Sequence, residues 1–191
     1  LLFSVIGRIE DVRKAVTMDV KKTGDLIYVL GETFPELGGS EWFAQNGFIG
    51  NHVPAVNGEK AKKLYTALGA AMRAGLVASC HDCSDGGLGV ALAETAFAGG
   101  LGLSVDLSRV PCSGIYRDDH LLFSESQSRF IVTVSPENRD RFEEALKGNT
   151  FACAGQVLED GRFRVNGLRG NRIIEDDIRV LKEIWQKPLK F

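Results

Sequence analysis

Cys80-His81-Asp82-Cys83-Ser84-Asp85-Gly86-Gly87-Leu88 is the stretch on which the reading of this chain turns. It follows the apolar Leu76-Val77-Ala78 and runs into Gly89-Val90-Ala91-Leu92-Ala93-Glu94-Thr95-Ala96-Phe97-Ala98. The order is strand, polar turn, helix. α/β proteins use that order to hold oxygen ligands and backbone N–H groups against a phosphate or a metal–phosphate pair. Asp82 and Asp85 put two carboxylates at the turn, with Ser84 between them. A carboxylate there suits Mg2+, a hard cation that prefers oxygen and shares its shell with phosphate oxygens. Ser84 and the N–H groups near Gly86 and Gly87 are the matching phosphate donors. The same residues also read as a helix cap, with Asp82 and Ser84 satisfying turn N–H groups, and local pattern leaves both readings open.

Cys80 and Cys83 form a C-x-x-C, which raises thiol or zinc chemistry. A reactive thiol belongs at a helix N-terminus. Here Cys80 lies in the strand, and Ser84-Asp85-Gly86-Gly87 separates Cys83 from the helix. Two neighbouring aspartates also disfavour a thiolate. Zinc requires further ligands at suitable spacing, and no second C-x-x-C or H-x-x-x-H accompanies His81. His81 therefore reads as a packed or hydrogen-bonded histidine.

Working outward, Leu26 to Gly31 is a continuous apolar run after the turn signal Thr23-Gly24-Asp25, the mark of a buried strand. Strands are also expected over 4–9, 77–80, 103–107 and 130–134. Ala61, Leu64, Tyr65, Leu68, Ala71 and Met72 recur at helical spacing and predict a helix over 59–74, stopped by Gly75. Helices are expected over 88–98, over 137–147 with Ser135 as N-cap, and over 174–185. Glu159-Asp160-Gly161 between 151–158 and 162–165 reads as a hairpin. Residues 10–22 form a polar connection. The long loop from Glu32 to Asn57, with Pro35, Gly38-Gly39, Gly47, Gly50 and Pro54, has the length of a functional loop. Together these predict an α+β fold, a mixed β-sheet with helices packed on it.

At 191 residues, 44% hydrophobic and 25% charged, the chain suits one soluble domain or one domain plus a piece of another. Its formal net charge of -2 offers no bulk attraction to nucleic acid or to an anionic membrane. No apolar run reaches the roughly 18–20 residues that span a bilayer. Leu1-Leu2-Phe3-Ser4-Val5-Ile6 lacks the basic start and cleavage site of a signal peptide. Opening in mid-strand without Met, the chain reads as an excised piece of something longer. Cys80, Cys83, Cys112 and Cys153 show no framework spacing and read as free thiols of a cytoplasmic protein.

Two further segments carry polar chemistry. In Glu36-Leu37-Gly38-Gly39-Ser40-Glu41, the paired glycines permit close backbone approach to a ligand and Ser40 can cap a helix. A loop that merely needs positive φ reads the same way. In Phe123-Ser124-Glu125-Ser126-Gln127-Ser128-Arg129, Glu125, Ser126 and Gln127 offer donors and acceptors for a sugar or amide, and Arg129 is a phosphate partner. By composition alone it is a polar turn. Arg162, Arg164, Arg169 and Arg172 are flanked by acids and read as a solvated mixed face.

ELGGSE, HDCSDGGLGVALAE with AFAGG, and FSESQSRF stand in an order that resembles the C-terminal part of the phosphoribosylformylglycinamidine synthase family, in its small-type synthetase subunit. The resemblance covers nearly the whole chain. Its superfamily includes aminoimidazole ribonucleotide synthetase, thiamine-monophosphate kinase, a hydrogenase maturation protein and selenophosphate synthetase. It implies an aminoimidazole ribonucleotide synthetase C-terminal-domain-like fold, with residues 23–191 as the second B domain. Residues 1–22 would be the end strand and connection from a preceding ATP-binding domain. The implied reaction uses ATP and Mg2+ to phosphorylate the amide oxygen of formylglycinamide ribonucleotide, after which ammonia from a glutaminase displaces phosphate.

By motif match, Asp82 would serve the metal, and Ser84, Gly86, Gly87, Gly38, Gly39 and Ser40 the nucleotide, ATP or ADP. Glu125, Ser126 and Gln127 would serve the ribonucleotide substrate, or stand as the counterpart of a first-half site. Implied partners are the preceding domains, the glutaminase subunit and a small accessory subunit, with neither nucleic acid nor membrane. The domain alone is expected to be inactive. A kinase-like relative and a non-catalytic nucleotide-binding or interaction module are the alternatives.

Overall fold

A computed structural model describes residues 4–189. Thirteen elements organise it: β1 Leu26–Leu30, α1 Glu41–Gln45, α2 Gly58–Arg73, β2 Ser79–Asp82, α3 Gly87–Gly99, β3 Gly102–Asp106 and α4 Asp118–Phe123, then β4 Phe130–Val134, α5 Arg139–Ala145, β5 Phe151–Leu158, β6 Arg162–Asn166, β7 Arg172–Asp177 and α6 Ile178–Gln186. The strands form one sheet in the order β2-β4-β1-β5-β3-β6-β7. Every pairing is antiparallel except β3 with β6. The expected mixed sheet with helices packed on it is what forms.

β1 explains why its sequence is apolar at every position. Ile27 and Val29 pack beneath α3 and α4 with Leu88, Leu92, Leu121 and Leu122. Tyr28 and Leu30 point to the other face, against Leu64, Leu68 and Ala71 of α2 and Phe142 of α5. A strand covered on both faces has no polar side to alternate with. Tyr28 keeps its hydroxyl satisfied by donating to Glu143 Oε1 at 2.6 Å. α2 starts where the Asn57 side chain accepts from the Lys60 N–H at 3.0 Å, and stops before Gly75 at φ +69°.

α3 is apolar nearly all round because it is enclosed between the sheet and α4 and α6. Upstream of it, Val20 is buried in the same core and its N–H donates to the Thr95 carbonyl at 3.3 Å. The chain is therefore packed onto this domain well before β1. Among the described residues, no helix is long and apolar enough to cross a membrane.

Four local expectations are corrected. Ser4 to Ile9 forms no strand and is exposed, since no neighbouring strand pairs its backbone; Leu1 to Phe3 lie outside the described residues. β5 and β6 do not form a hairpin, because β3 lies between them and pairs with both. Gly102 permits this: a Cβ there would stand 2.5 Å from the Arg162 carbonyl oxygen, so the Glu159–Gly161 connection crosses the bare start of β3. The expected helix over 174–185 starts at Ile178; residues 172–177 pair with β6, and Asp177 accepts from the Arg179 N–H at 2.9 Å to begin the helix. Ser135 makes no side-chain cap, because a 3-10 turn over Pro136–Asn138 precedes α5.

Candidate functional site

β2 is an edge strand, and its last residue is Asp82. The turn that follows needs two left-handed positions, met by Gly86 at φ +78° and Gly87 at φ +65°. Gly87 is also a point of backbone contact: a Cβ would fall 2.4 Å from the Ser124 carbonyl oxygen. Asp82, Ser84 and Asp85 remain exposed around the turn. The Asp82 side chain is 64% exposed, and its Oδ2 accepts the Ser84 hydroxyl proton at 2.7 Å. Ser84 therefore offers its oxygen outward while its proton is engaged.

The three sequence motifs meet here. Glu125 Oε1 accepts from the Gly86 N–H at 2.9 Å and from the Glu41 N–H, at the start of α1, at 3.0 Å. One carboxylate oxygen thus ties the Asp-rich turn to the ELGGSE loop. Ser124 Oγ accepts from the Glu36 N–H at 2.9 Å, and Ser126 Oγ accepts from the Phe34 N–H at 3.0 Å. Gly38 and Gly39 donate to the carbonyls of His52 and Ile49, and Ser40 caps α1 by accepting from the Phe43 N–H at 3.2 Å.

Arg129 pins the whole arrangement from below. It is fully buried, and its guanidinium donates to the carbonyls of Ser126 and Ser124 and to Thr33 Oγ1. Burial pulls its pKa down, opposed by the negative charges of nearby groups that include Glu36 and Glu125. Arg129 was expected to meet a phosphate; at 0% exposure it instead stands behind the wall of the Asp82 cavity and holds the loops that form it.

Two cavities flank the motif. One, about 220 Å³, is lined by Asp82, Ser84, Asp85, Glu125, Gln127 and Tyr65, with Ser128 and Phe130. It gathers Asp82, Ser84, Glu125 and Gln127 of the residues expected from sequence. Gly86 and Gly87 shape the turn behind it, while Gly38, Gly39 and Ser40 are not in its wall and reach it only through α1. The second, about 310 Å³, is lined by Ser126 and Gln127 together with α2 and the loop after β1.

Tyr65 and Ser128 were not among the expected site residues. The Tyr65 hydroxyl meets Ser128 Oγ at 2.8 Å, and its ring stands edge-on to Phe130. Tyr65 shares the helical periodicity of the core positions, and only its polar tip hinted at a wet surface. Ser128 has φ +61°, a left-handed conformation for which its sequence holds no signal.

Cys80 and His81 stand apart from this chemistry, and Cys83 backs the smaller cavity as a buried thiol. Burial, then the charge of Asp82, pushes Cys80 up to about 12. Burial pushes Cys83 up to about 11, with Arg129 opposing and Asp82 adding. His81 Nε2 lies 2.9 Å from Glu94 Oε2, and the Trp185 indole N–H donates to Glu94 Oε1 at 2.9 Å. This joins β2, α3 and α6. Among the described residues, no three His, Cys, Asp or Glu side chains converge as a metal site.

The raised thiol values carry a direct consequence. From an ordinary value near 9.0, burial raises both thiols enough that little thiolate is present at pH 8 in the folded chain. In iodoacetamide labelling followed by mass spectrometry, both should react far more slowly in the native chain than in urea. Equal native and unfolded rates would contradict the assignment.

Residues 22–167 match the family described as AIR synthase related protein, C-terminal domain. The chain is 37% identical over 190 residues to the phosphoribosylformylglycinamidine synthase subunit PurL of Alkaliphilus metalliredigens, covering 99% of this chain and 25% of that protein. It is 39% identical over 170 residues to the PurL subunit of Moorella thermoacetica, covering 85% of this chain and 22% of that protein. The chain thus spans about a quarter of these relatives' length.

Among solved structures, T. maritima PurL complexed with FGAR superposes with a TM-score of 0.77 at 25% identity, over 89% of this chain and 30% of that one. The E. coli hydrogenase maturation protein HypE shares the fold, with a TM-score of 0.61 at 20% identity over 85% of this chain and 52% of that one. With the family match covering most of its length, the chain belongs to the AIR synthase related protein C-terminal domain family.

Proposed function

We propose that this chain is the second B domain of an ATP-dependent ligase that converts formylglycinamide ribonucleotide and ammonia to the amidine, and that it supplies one wall of a Mg-nucleotide site. The observation that carries the proposal is the exposed Asp82–Ser84 pair, held on a turn that Glu125 locks to the ELGGSE loop. The relatives' names support the activity, and solved PurL structures complexed with ADP and with ATP support the nucleotide. An exposed single carboxylate fits Mg2+, which keeps several waters and takes further oxygens from phosphates.

In this reading Asp82 contributes one metal ligand, and Ser84, whose hydroxyl donates to Asp82 Oδ2, turns that proton to a phosphate oxygen once the cation takes the carboxylate. Gly86 and Gly87 let the turn approach the phosphates. Gly38, Gly39 and Ser40 shape the loop that closes the neighbouring side. Glu125 positions the two loops, Ser126 secures the Phe34 backbone, and Gln127 faces the cavity as the ligand contact of its segment. Asp82 would hold Mg2+, which would supply charge neutralisation at the phosphates. In the whole enzyme the γ-phosphoryl group would pass to the substrate's amide oxygen with release of ADP, and ammonia would add at the amide carbon with loss of that phosphate. The segment before Thr17 leads in from a preceding ATP-binding domain, while Thr17 to Val20 already dock on this one, and the glutaminase and small accessory subunits bind the assembled enzyme. The PurLQS structure from Thermotoga maritima is consistent with that assembly. Alone, the domain lacks synthase activity.

Asp82→Asn in the whole enzyme tests the site. Loss of one charge-assisted ligand should weaken Mg·ADP binding about tenfold or more, ~1.4 kcal/mol or above, as read by calorimetry. Unchanged affinity would remove Asp82 from the site. Lost binding with unchanged turnover would make the nucleotide a structural element.

A further inference from the structure

The Asp82 side chain is 64% exposed, so little of the fold grips its carboxylate directly. We propose, resting on the reading of Asp82 as a cation ligand, that His81 and Glu94 are positioning residues for it. The last helix, α6, enters the same arrangement through Trp185. His81 lines neither cavity, and its bearing on the site runs through its neighbour in β2. The region matched by the family model ends at residue 167, before α6 begins at Ile178.

The backbone around Asp82 is fixed from one side. β2 pairs with β4, which sets Asp82 opposite Phe130, and the Cys83 N–H donates to the Arg129 carbonyl at 3.0 Å. The carboxylate itself is bounded by two different groups. Ser84 donates to its Oδ2 at 2.7 Å, and His81 Nδ1 stands 3.7 Å from its Oδ1. At that distance the imidazole makes no hydrogen bond but meets the oxygen in van der Waals contact. The place of the ring therefore limits how far the Oδ1 side can swing.

That ring is itself held. Its Nε2 lies 2.9 Å from Glu94 Oε2. A carboxylate accepts, which assigns the ring proton to Nε2 and leaves Nδ1 facing Asp82. Glu94 is pinned in turn, because its other oxygen accepts the Trp185 indole N–H at 2.9 Å, and an indole nitrogen only donates. The Trp185 ring packs 5.6 Å from that of Phe97, one helical turn after Glu94 on α3, so the indole is braced on the face that presents the carboxylate. Ile178 is buried in the core and Leu181 packs against it, which fixes α6. Groups that orient a cation's ligands from behind typically change its affinity by about 10–100-fold when removed. Here they reach from β2 through α3 to the last helix.

The test is calorimetry on the whole enzyme, titrating ADP with Mg2+ present and again in EDTA. Glu94→Gln should weaken Mg·ADP binding about tenfold, because the amide has one acceptor oxygen where the carboxylate has two. Trp185→Phe keeps a ring and removes the donor, and should weaken it to a lesser degree. Neither should change the affinity for ADP in EDTA. In an Asp82→Asn background Glu94→Gln should have no further effect, as expected of groups that act through one another. Phe97→Leu loosens the α3–α6 packing without touching the hydrogen bonds and should keep the parent's affinity. Parent-like Mg·ADP binding by Glu94→Gln, beside a loss in Asp82→Asn, would overturn the proposal and leave the nucleotide reading standing. Parent-like binding by Asp82→Asn would overturn both. Additive losses, a matching loss in EDTA, or an equal loss in Phe97→Leu would make the network mere packing and overturn the proposal too.

Discussion

Arg129→Met is expected to lower the unfolding free energy by roughly 3–4 kcal/mol, the largest stability loss of any polar substitution near the site. Arg129 is fully buried, and its three hydrogen bonds end on Ser124, Ser126 and Thr33. Methionine fills much of the volume but leaves two carbonyls and a hydroxyl without donors, each unfavourable by about 1–3 kcal/mol. Relief of the buried charge offsets part of that sum. Lysine should not rescue, since a single ammonium cannot reproduce the planar fork that spans three acceptors. Urea denaturation checks both variants. A loss of unfolding free energy below about 1 kcal/mol for Arg129→Met would show that the loop holds together without its central pin.

Gly87→Ala should be nearly as damaging, for a different reason. At φ +65° a side chain adds roughly 1–2 kcal/mol of backbone strain. The new Cβ would also stand 2.4 Å from the Ser124 carbonyl and 2.9 Å from that of Leu122. Both obstacles are backbone, so the turn must move off α4, and we expect a total of about 3 kcal/mol or more. Gly39→Ala is the matched comparison. Its φ is +74°, yet a Cβ there meets nothing within 4 Å. It should lose only about 1 kcal/mol. The Gly87 variant should in addition lose Mg·ADP affinity in the whole enzyme, whereas the Gly39 variant should keep most of it. Equal losses would mean that positive φ, and not contact with Ser124, is what Gly87 is for.

Much of the fold was legible because its strongest elements carry their own signal. The unbroken apolar run of β1 requires burial on both faces, and α2 has a clear stripe and a Gly stop; its Asn57 cap became visible only in the structure. Pairing partners were not legible. Glu159-Asp160-Gly161 is good turn chemistry whether the strands it joins pair directly or straddle a third, and only the bare start of β3 at Gly102 makes the second arrangement fit. Ile174, Ile178, Leu181 and Trp185 keep helical spacing, but the open edge of β6 claims residues 172–177 as a strand.

The candidate site divides the same way. Asp82 and Ser84 announce themselves as oxygen groups on a strand–helix turn. Glu125 does not reveal that it serves two N–H groups from separate loops, because that role exists only once α1 and α3 have been brought together. Arg129 looked like a ligand residue for the same reason: its acceptors are backbone carbonyls and a hydroxyl, which no local pattern marks.

The most direct test of the Mg-nucleotide wall is anomalous diffraction from crystals of the whole enzyme grown with Mn2+ and ADP. A peak within direct ligation distance of the Asp82 carboxylate, with nucleotide phosphate beside Ser84, is the predicted result. A nucleotide bound elsewhere with no cation at Asp82 would contradict it.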